Sequence, residues 1–187
     1  MQLQDVDNQL SQETQEVLAQ LAQRQASANA IRQPVAIIGP GEATDEQKAS
    51  AFRIARALAG AGIPIICGGK GGVMEAAAQG ARDAGGLVIG ILPDADAASG
   101  NAYLSVVLPT GLGEARNAVI ASSAMCLIAV GGGWGTISEM ALGLKWNKPV
   151  FATYDAEKIP GIQQFDSVEM LIFRAAGWLC GYVKADE

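Results

Sequence analysis

The sequence predicts a single α/β domain in which helices cover both faces of a parallel sheet, that is, a doubly wound fold. Half of the 187 residues are hydrophobic, which is enough to bury one substantial core without disulfides. From residue 34 onward, short apolar runs alternate with amphipathic segments, a pattern typical of βαβ units around a buried sheet. Three of the apolar runs lead directly into glycine clusters, which predicts turns at the carboxyl ends of strands.

The first 30 residues are predicted to be a helical appendage to a domain that spans residues 31–187. They are rich in Gln and Ala, and Leu10, Val17, Leu18 and Leu21 give a helix only a thin apolar stripe. Such a stripe is compatible with packing on the domain, with packing on a neighbouring subunit, or with fraying.

Six strands and five helices are expected in the domain, with boundaries good to a few residues. The strands are Val35–Gly39, Pro64–Cys67, Leu87–Leu92, Leu104–Leu108, Met125–Val130 and Pro149–Tyr154. The helices are Thr44–Ala61, Gly72–Ala84, Gly113–Ser123, Thr136–Trp146 and Ser167–Trp178. The first of them has the clearest start, because Thr44 is a capping residue and two acids follow it.

The composition argues against several functions. Thirteen basic residues against 19 acidic ones give a net charge of -6, which disfavours nucleic acid as the main partner. Histidine is absent, so the commonest general base and the commonest metal ligand are missing, and no metal site is expected. Cys67, Cys126 and Cys180 are too far apart to suggest a zinc site or a disulfide framework. With no signal peptide and no membrane-spanning run expected, we predict a cytoplasmic protein.

The three glycine clusters are the candidate ligand-binding turns. Loops at the carboxyl ends of parallel strands form the ligand crevice of such sheets, and the amides that begin the following helices attract anions. Glycine also lets a phosphate approach the backbone without a Cβ in the way. Each cluster taken alone is equally well explained as a tight turn, but the three together favour a phosphate-bearing ligand. The candidate binding residues are Gly39, Gly41, Gly68, Gly69, Lys70, Gly71, Gly131, Gly132, Gly133, Gly135 and Thr136.

Two charged residues beside these turns are the candidate catalytic pair. Arg116 can clamp phosphate or sugar oxygens, or it can form an ion pair with Glu114, with Glu139 or with a neighbouring subunit. Glu139 lies one helical turn beyond the third cluster, where its carboxylate can face a bound ligand. It can also form a capping box with Thr136, and the two roles are compatible.

The neighbouring residues leave more than one interpretation open. Lys70 is either a phosphate-neutralising cation or a solvated loop residue. Trp134 either stacks on a bound ring or covers a subunit interface. Asn101 and Tyr103 are candidates for the rim of the pocket, whereas Met74 is expected in the core.

At these motifs the chain resembles the Lonely-guy superfamily of Rossmann-like nucleotide-binding proteins, long misnamed lysine decarboxylases. The resemblance covers about residues 34–155 and includes the small branch of molybdenum cofactor carrier proteins. It depends on GPGEA, on CGGKGGVMEAAAQGARDAGGLVIGILPD, and on TGLGEARNAVIASSAMCLIAVGGGWGTISEMALGLKWNKPV, which is the most specific of the three. It implies a Rossmann-like fold and a homo-oligomer, either a dimer or a tetramer.

The resemblance implies two functions. In phosphoribohydrolases of the superfamily, an Arg and a Glu cleave the N-glycosidic bond of a nucleoside 5′-monophosphate, such as a cytokinin riboside 5′-monophosphate or AMP, and these roles fall on Arg116 and Glu139. Here, however, Asn117 replaces the usual Lys, and Val130 stands where a Pro-Gly-Gly turn would begin. These departures favour carrier proteins, which hold molybdenum cofactor as cargo and require no cofactor of their own.

We therefore expect a carrier-type binding protein for a phosphorylated, nucleotide-like small molecule, with phosphoribohydrolase activity as the alternative. Lysine decarboxylation is rejected, since it needs a lysine that forms a Schiff base with pyridoxal phosphate. The sequence around Lys70, Lys145 and Lys148 does not resemble the site of a Schiff-base lysine.

Overall fold

The computed structural model describes residues 10–154 and 159–181. Seven strands, β1 to β7, span Val35–Ile38, Ile65–Cys67, Val88–Leu92, Val106–Pro109, Leu127–Val130, Val150–Thr153 and Ile162–Gln164. Six α-helices, α1 to α6, span Gln12–Gln25, Asp45–Gly60, Val73–Asp83, Arg116–Ser123, Trp134–Lys145 and Val168–Cys180. Short 3-10 turns at Ala97–Ser99 and Gly113–Ala115 complete the regular structure of the described residues.

The strands form one parallel sheet in the order β4-β3-β2-β1-β5-β6-β7. The chain builds outward from β1 to one edge, then returns to pair β5 with the other side of β1. The loops after β1 and β5 therefore diverge, and a crevice opens between them at the carboxyl ends of the strands. The predicted doubly wound α/β fold is confirmed.

The sheet is buried between two unequal layers of helices. One face packs against α2, α3 and α6, with α1 lying on α6 and α2, and its core includes Ile37, Leu58 and Phe151. In the described part of the chain, the helices on the opposite face are α4 and α5, packed around Ile120 and Met140. The interior strands β1, β5 and β6 are buried at every residue, as continuous apolar runs predict for a parallel sheet.

Helix α1 packs on the domain, chiefly against α6. Leu21 is fully buried, and the Glu169 carboxylate accepts hydrogen bonds from the Ser11 amide at 2.7 Å and the Thr14 hydroxyl at 3.1 Å. Arg24 also donates to the carbonyl of Leu179 at 2.8 Å. Of the alternatives for this helix, the structure shows packing on the domain. Residues 1–9 of the predicted appendage lie outside the described residues. The domain boundary at residue 30 stays a prediction.

The predicted start of α2 is present in detail. Thr44 is the N-cap and forms a capping box with Gln47. The Gln47 amide donates to the Thr44 hydroxyl oxygen, and the Thr44 amide donates to the side-chain oxygen of Gln47. The six predicted strands and five predicted helices all exist, with boundaries shifted by a few residues. Strand β7 was not predicted, because Ile162–Gln164 is short and carries no apolar alternation.

The fifth helix begins earlier than predicted, and this corrects one interpretation of Glu139. Helix α5 starts at Trp134 with Gly133 as its N-cap, so Thr136 lies inside the first turn. Glu139 is the sixth residue of the helix and is too far along to form a capping box. The proposed capping box of Thr136 with Glu139 is therefore wrong. Across the two described ranges, no helix is long and apolar enough to cross a membrane.

Candidate functional site

A cavity of about 340 Å³ opens at the carboxyl ends of the strands, beside the divergence of the loops after β1 and β5. It receives residues from the loops after β1, β2, β3 and β5 and from the starts of α3, α4 and α5. Nine of the residues predicted from sequence line it: Gly39, Gly41, Gly68, Lys70, Arg116, Gly133, Gly135, Thr136 and Glu139. The structure therefore brings the three glycine turns and the candidate catalytic pair to one place.

Four predicted glycines do not line the cavity: Gly69, Gly71, Gly131 and Gly132. Gly69 and Gly131 have positive φ angles of 71° and 73°, which favour glycine. A Cβ at Gly69 would lie 2.5 Å from a methyl carbon of Leu92, and one at Gly131 would overlap the Gln47 amide. These two glycines therefore allow the backbone of the turns to adopt its conformation, while Gly68 and Gly133 line the cavity.

Arg116 forms part of the cavity wall although it is only 7% exposed. Its Nε donates to the Ile91 carbonyl at 3.0 Å, and its Nη1 donates to the Oδ1 of Asn117. Its Nη2 makes no hydrogen bond in the described part of the chain. A buried guanidinium is thus fixed at two nitrogens and leaves the third for a ligand.

The loop after β2 makes room for this guanidinium. A Cβ at Gly68 would lie 2.6 Å from Nη2 of Arg116 and 2.7 Å from Sδ of Met74. No ion pair joins Arg116 to Glu114 or Glu139 among the described residues, so an ion pair with either of these carboxylates is not supported. An ion pair with a neighbouring subunit stays a prediction. Because residue 68 is glycine, the Arg116 guanidinium can lie against the backbone of the cavity wall.

The first turn of α5 supplies a second anion-attracting feature. Its N-cap is Gly133, and no side chain caps the helix. Gly133, Gly135 and Thr136 all line the cavity, so the helix begins at the cavity wall. The amides of a first helical turn lack intrahelical partners and carry the positive end of the helix dipole. This end of α5 and Arg116 both favour an anion in the cavity.

Glu139 is 5% exposed and lines the same cavity. Burial raises the pKa of its carboxyl to about 8; Arg116 opposes the rise, and Glu114 adds to it. The side chain is therefore mainly protonated near pH 7 and can donate a hydrogen bond or a proton. A protonated Glu139 does not offset the charge of the Arg116 guanidinium, whereas the exposed Glu114 carboxylate also lines the cavity.

Lys70 lines the cavity but is already bound within the protein. Its Nζ donates to the Asp94 carboxylate at 2.8 Å and to the Ser99 carbonyl at 3.1 Å. Hydrogen bonds from Lys70 and Ser99 hold the pKa of Asp94 below its ordinary value. Lys70 is thus neither a freely solvated loop residue nor an uncompensated cation.

Three other candidates lie elsewhere than the cavity wall. Trp134 is 88% exposed at the start of α5. Asn101 donates from its side chain to the Lys70 carbonyl at 3.0 Å, and its Oδ1 accepts from the amide of Tyr103. Asn101 therefore holds the second glycine loop, and neither Asn101 nor Tyr103 is among the residues that line the cavity.

The sequence analysis missed the roles of Asn117, Met74 and Pro93, which also line the cavity. Met74 was expected in the core; it belongs there and to the cavity wall at once. Asn117 was noted only for its departure from a motif. Its place directly after the key arginine was the available signal for its role.

The site offers no evident metal centre or nucleophilic thiol. No group of three or more His, Cys, Asp or Glu side chains in residues 10–154 and 159–181 is placed to hold a metal ion. The three cysteines are free, and burial raises the pKa of Cys67 to about 11 and that of Cys126 to about 12. Both of these thiols stay protonated at neutral pH and act as small apolar residues.

The fold and the cavity define a Rossmann-like α/β protein with a ligand site at the carboxyl ends of its strands. The chain belongs to the SLOG cluster4 family, which matches residues 32–176, and thereby to the Lonely-guy superfamily. An uncharacterized protein of Archaeoglobus fulgidus is 42% identical over 135 residues, which cover 72% of this chain and 89% of the relative.

Two solved structures are similar over most of the chain. The molybdenum cofactor carrier protein of Chlamydomonas reinhardtii is 30% identical, with a TM-score of 0.72 over 80% of this chain and 99% of that protein. The molybdenum cofactor binding protein of Rippkaea orientalis is 35% identical, with a TM-score of 0.64 over 81% of this chain and 87% of that protein. A cytokinin riboside 5′-monophosphate phosphoribohydrolase of Arabidopsis thaliana is 34% identical over 85 residues, which cover 44% of this chain and 37% of that enzyme.

Proposed function

We propose that the cavity binds a phosphate-bearing, nucleotide-like molecule and that this molecule is molybdenum cofactor, held as cargo. The supporting observation is the buried Arg116 guanidinium, whose Nη2 makes no hydrogen bond to a described residue and which lines the same cavity as the uncapped start of α5. A phosphate oxygen satisfies both features, because it accepts from a guanidinium and from helix amides. The glycines of the surrounding turns let such a group approach the backbone.

The comparisons favour carriage over cleavage. The two similar structures are described as a carrier and a binding protein for molybdenum cofactor, and each covers about four fifths of this chain. The match to the plant hydrolase covers less than half of the chain.

A second candidate, the phosphoribohydrolase, is favoured by one observation. Glu139 has a raised pKa of about 8, so it can act as a general acid near neutral pH. In that reaction the N-glycosidic bond breaks, its electron pair goes to the base nitrogen, and Glu139 supplies the proton. Water adds to the ribose carbon and loses a proton to the Glu139 carboxylate, which restores the acid, and ribose 5-phosphate is the other product.

Anaerobic calorimetry with molybdenum cofactor tests the carrier proposal. We expect binding at micromolar affinity or tighter, which corresponds to about 8 kcal/mol or more. Arg116→Gln removes a charge-assisted contact worth about 1.5 to 3 kcal/mol, so binding weakens about 10- to 100-fold. Arg32→Gln, at an exposed site away from the cavity, serves as the matched control and leaves binding unchanged. A wild-type protein that binds no cofactor would overturn the proposal.

Release of free base distinguishes the hydrolase from the carrier. AMP and a cytokinin riboside 5′-monophosphate are incubated with wild-type protein and with Glu139→Gln, and the free base is quantified chromatographically. The carrier proposal predicts equal, background release from both proteins. Release by the wild-type protein alone would establish the hydrolase and displace the carrier proposal.

We also propose that the protein is a cytoplasmic homo-oligomer with no nucleic acid partner. The net charge of -6 disfavours nucleic acid. Exposed Trp134 and Leu112, 88% and 52% accessible, offer apolar surface for contact between subunits. A solution mass at a multiple of 19.3 kDa supports the oligomer, and the mass of a single chain would contradict it.

A further inference from the structure

We infer that Asn117 is a positioning residue that fixes the orientation of the Arg116 guanidinium, an inference that rests on the proposed function of the cavity. Asn117 is only 4% exposed and borders the cavity beside Arg116. Its Oδ1 accepts the hydrogen bond from Nη1 of Arg116. The Ile91 carbonyl accepts the hydrogen bond from Nε. Asn117 thus provides the second of two fixed points for one planar group.

The other end of the Asn117 amide is fixed to α5. Its Nδ2 donates to Oγ of Ser138 at 2.9 Å and approaches the Gly135 carbonyl at 3.4 Å. The Ser138 hydroxyl in turn donates to the Gly135 carbonyl at 2.7 Å. One hydrogen-bonded chain therefore connects the guanidinium to the first turn of the helix that carries Thr136 and Glu139.

Two anchors matter because a guanidinium is planar. With Nε and Nη1 both engaged, rotation of the group would break a buried hydrogen bond, so Nη2 stays directed at the cavity. Without Asn117, only the Nε contact remains, and Nη1 loses its buried acceptor. A ligand would then have to order the guanidinium itself, which weakens binding.

A purely structural role for Asn117 predicts something different. In that case the side chain only fastens α4 to α5, and its loss lowers stability without changing the motion of the guanidinium. Nitrogen-15 NMR of arginine side chains separates these roles without any ligand. The Arg116 signal is assigned by its loss in Arg116→Gln.

We expect separate, slowly exchanging Nη1 proton resonances for Arg116 in the wild-type protein. Asn117→Leu and the smaller Asn117→Ser remove the acceptor, and the resonances should merge as rotation becomes fast. Asn117→Asp keeps an oxygen at the same position and should preserve them. Ser122→Ala, which removes another backbone-bonding side chain of α4, is the control and should change nothing. Separate resonances in folded Asn117→Leu or Asn117→Ser would overturn the inference.

Titration with molybdenum cofactor measures whether Asn117 contributes to ligand binding. Asn117→Ser should weaken binding about 10-fold in the wild-type background, the loss of roughly one charge-assisted anchor. In the Arg116→Gln background it should have no further effect, because Asn117 acts through the arginine. Independent, additive losses would contradict the inference. Failure of the wild-type protein to bind the cofactor would remove the proposed ligand, while the NMR result would still decide the role of Asn117.

Discussion

Arg116 and Glu139 line one cavity, yet only Arg116 carries a full charge near pH 7. Burial holds the Glu139 carboxyl mainly protonated, because it raises the pKa of that group to about 8. An ionised Glu139 would offset the charge of Arg116, whereas a protonated Glu139 leaves that charge available to an anion. The raised pKa of Glu139 is therefore a consequence of burial that suits ligand binding.

The same pKa predicts how stability depends on pH. The Glu139 carboxyl has an ordinary value of 4.5 and a folded-state value of about 8. Between these values the folded protein keeps a proton that the unfolded chain has lost. The free energy of unfolding should therefore fall as pH rises, by about 1.4 kcal/mol per pH unit for this group, and level off above pH 8.

Denaturant unfolding of wild-type protein and Glu139→Gln at several pH values tests this slope. Glutamine cannot ionise, so the difference between the two proteins isolates the contribution of Glu139. Relative to the variant, the wild-type protein should lose stability steadily from about pH 5 to 8. A difference that does not change with pH would show that Glu139 is ionised in the folded protein at neutral pH.

The sequence predicted Arg116 and Glu139 because each lies next to a glycine turn at the start of a helix. It did not predict the role of Asn117. That role depends on contacts with Arg116 beside it and with Ser138, 21 residues further along the chain. Likewise, the engagement of Lys70 by Asp94 depends on packing between two loops. Residue type and spacing identified the charged groups, whereas their partners depended on the fold.

Among the elements, α5 shows where local signals fail. The predicted start was Thr136, because threonine is a good N-cap. The helix instead begins at Trp134, where the Ile137 amide donates to the Gly133 carbonyl at 2.8 Å and closes the first turn, although Trp134 and Gly135 are both exposed. The result is an uncapped helix start at the cavity wall.

Helices α2 and α3 cross so closely that a single added methyl group between them should lower stability. Gly80 lies in α3, and a Cβ there would overlap the carbonyl oxygen of Phe52 in α2. Backbone atoms cannot move aside cheaply, so Gly80→Ala should destabilise the protein by about 1 to 3 kcal/mol. The measurement is the free energy of unfolding in denaturant.

Gly60→Ala is the matched control, because a Cβ at Gly60 would make an ordinary contact of 3.8 Å with Ala84. Its effect should stay within about 1 kcal/mol and favour stability, since alanine is the better helix former. If Gly80→Ala were equally harmless, the close crossing of α2 and α3 would be incorrect.

For the whole molecule, the order of the strands decides where the site lies. Alternation of apolar and amphipathic segments predicted the parallel sheet, but it did not specify that β1 and β5 would be neighbours. That pairing places the first and third glycine turns side by side, and the second follows because β2 also pairs with β1. Three turns spread over about a hundred residues of sequence thus meet at one cavity.

The unequal layers have a second consequence for the molecule. Of the helices in residues 10–154 and 159–181, α4 and α5 alone cover one face of the sheet, and both carry cavity residues at their starts. Arg116, Asn117 and Glu139 are thereby held on two helices that pack directly against each other. This arrangement gives the site rigid support on one side, while the glycine turns shape the other.

A crystal structure of the protein with molybdenum cofactor, grown without oxygen, would test cofactor binding in the cavity most directly. We expect an intact cofactor in the cavity, with its phosphate at the start of α5 and an oxygen within hydrogen-bonding distance of Nη2 of Arg116. A cofactor bound elsewhere, or a cavity that remains empty at saturating cofactor concentration, would contradict the proposed function.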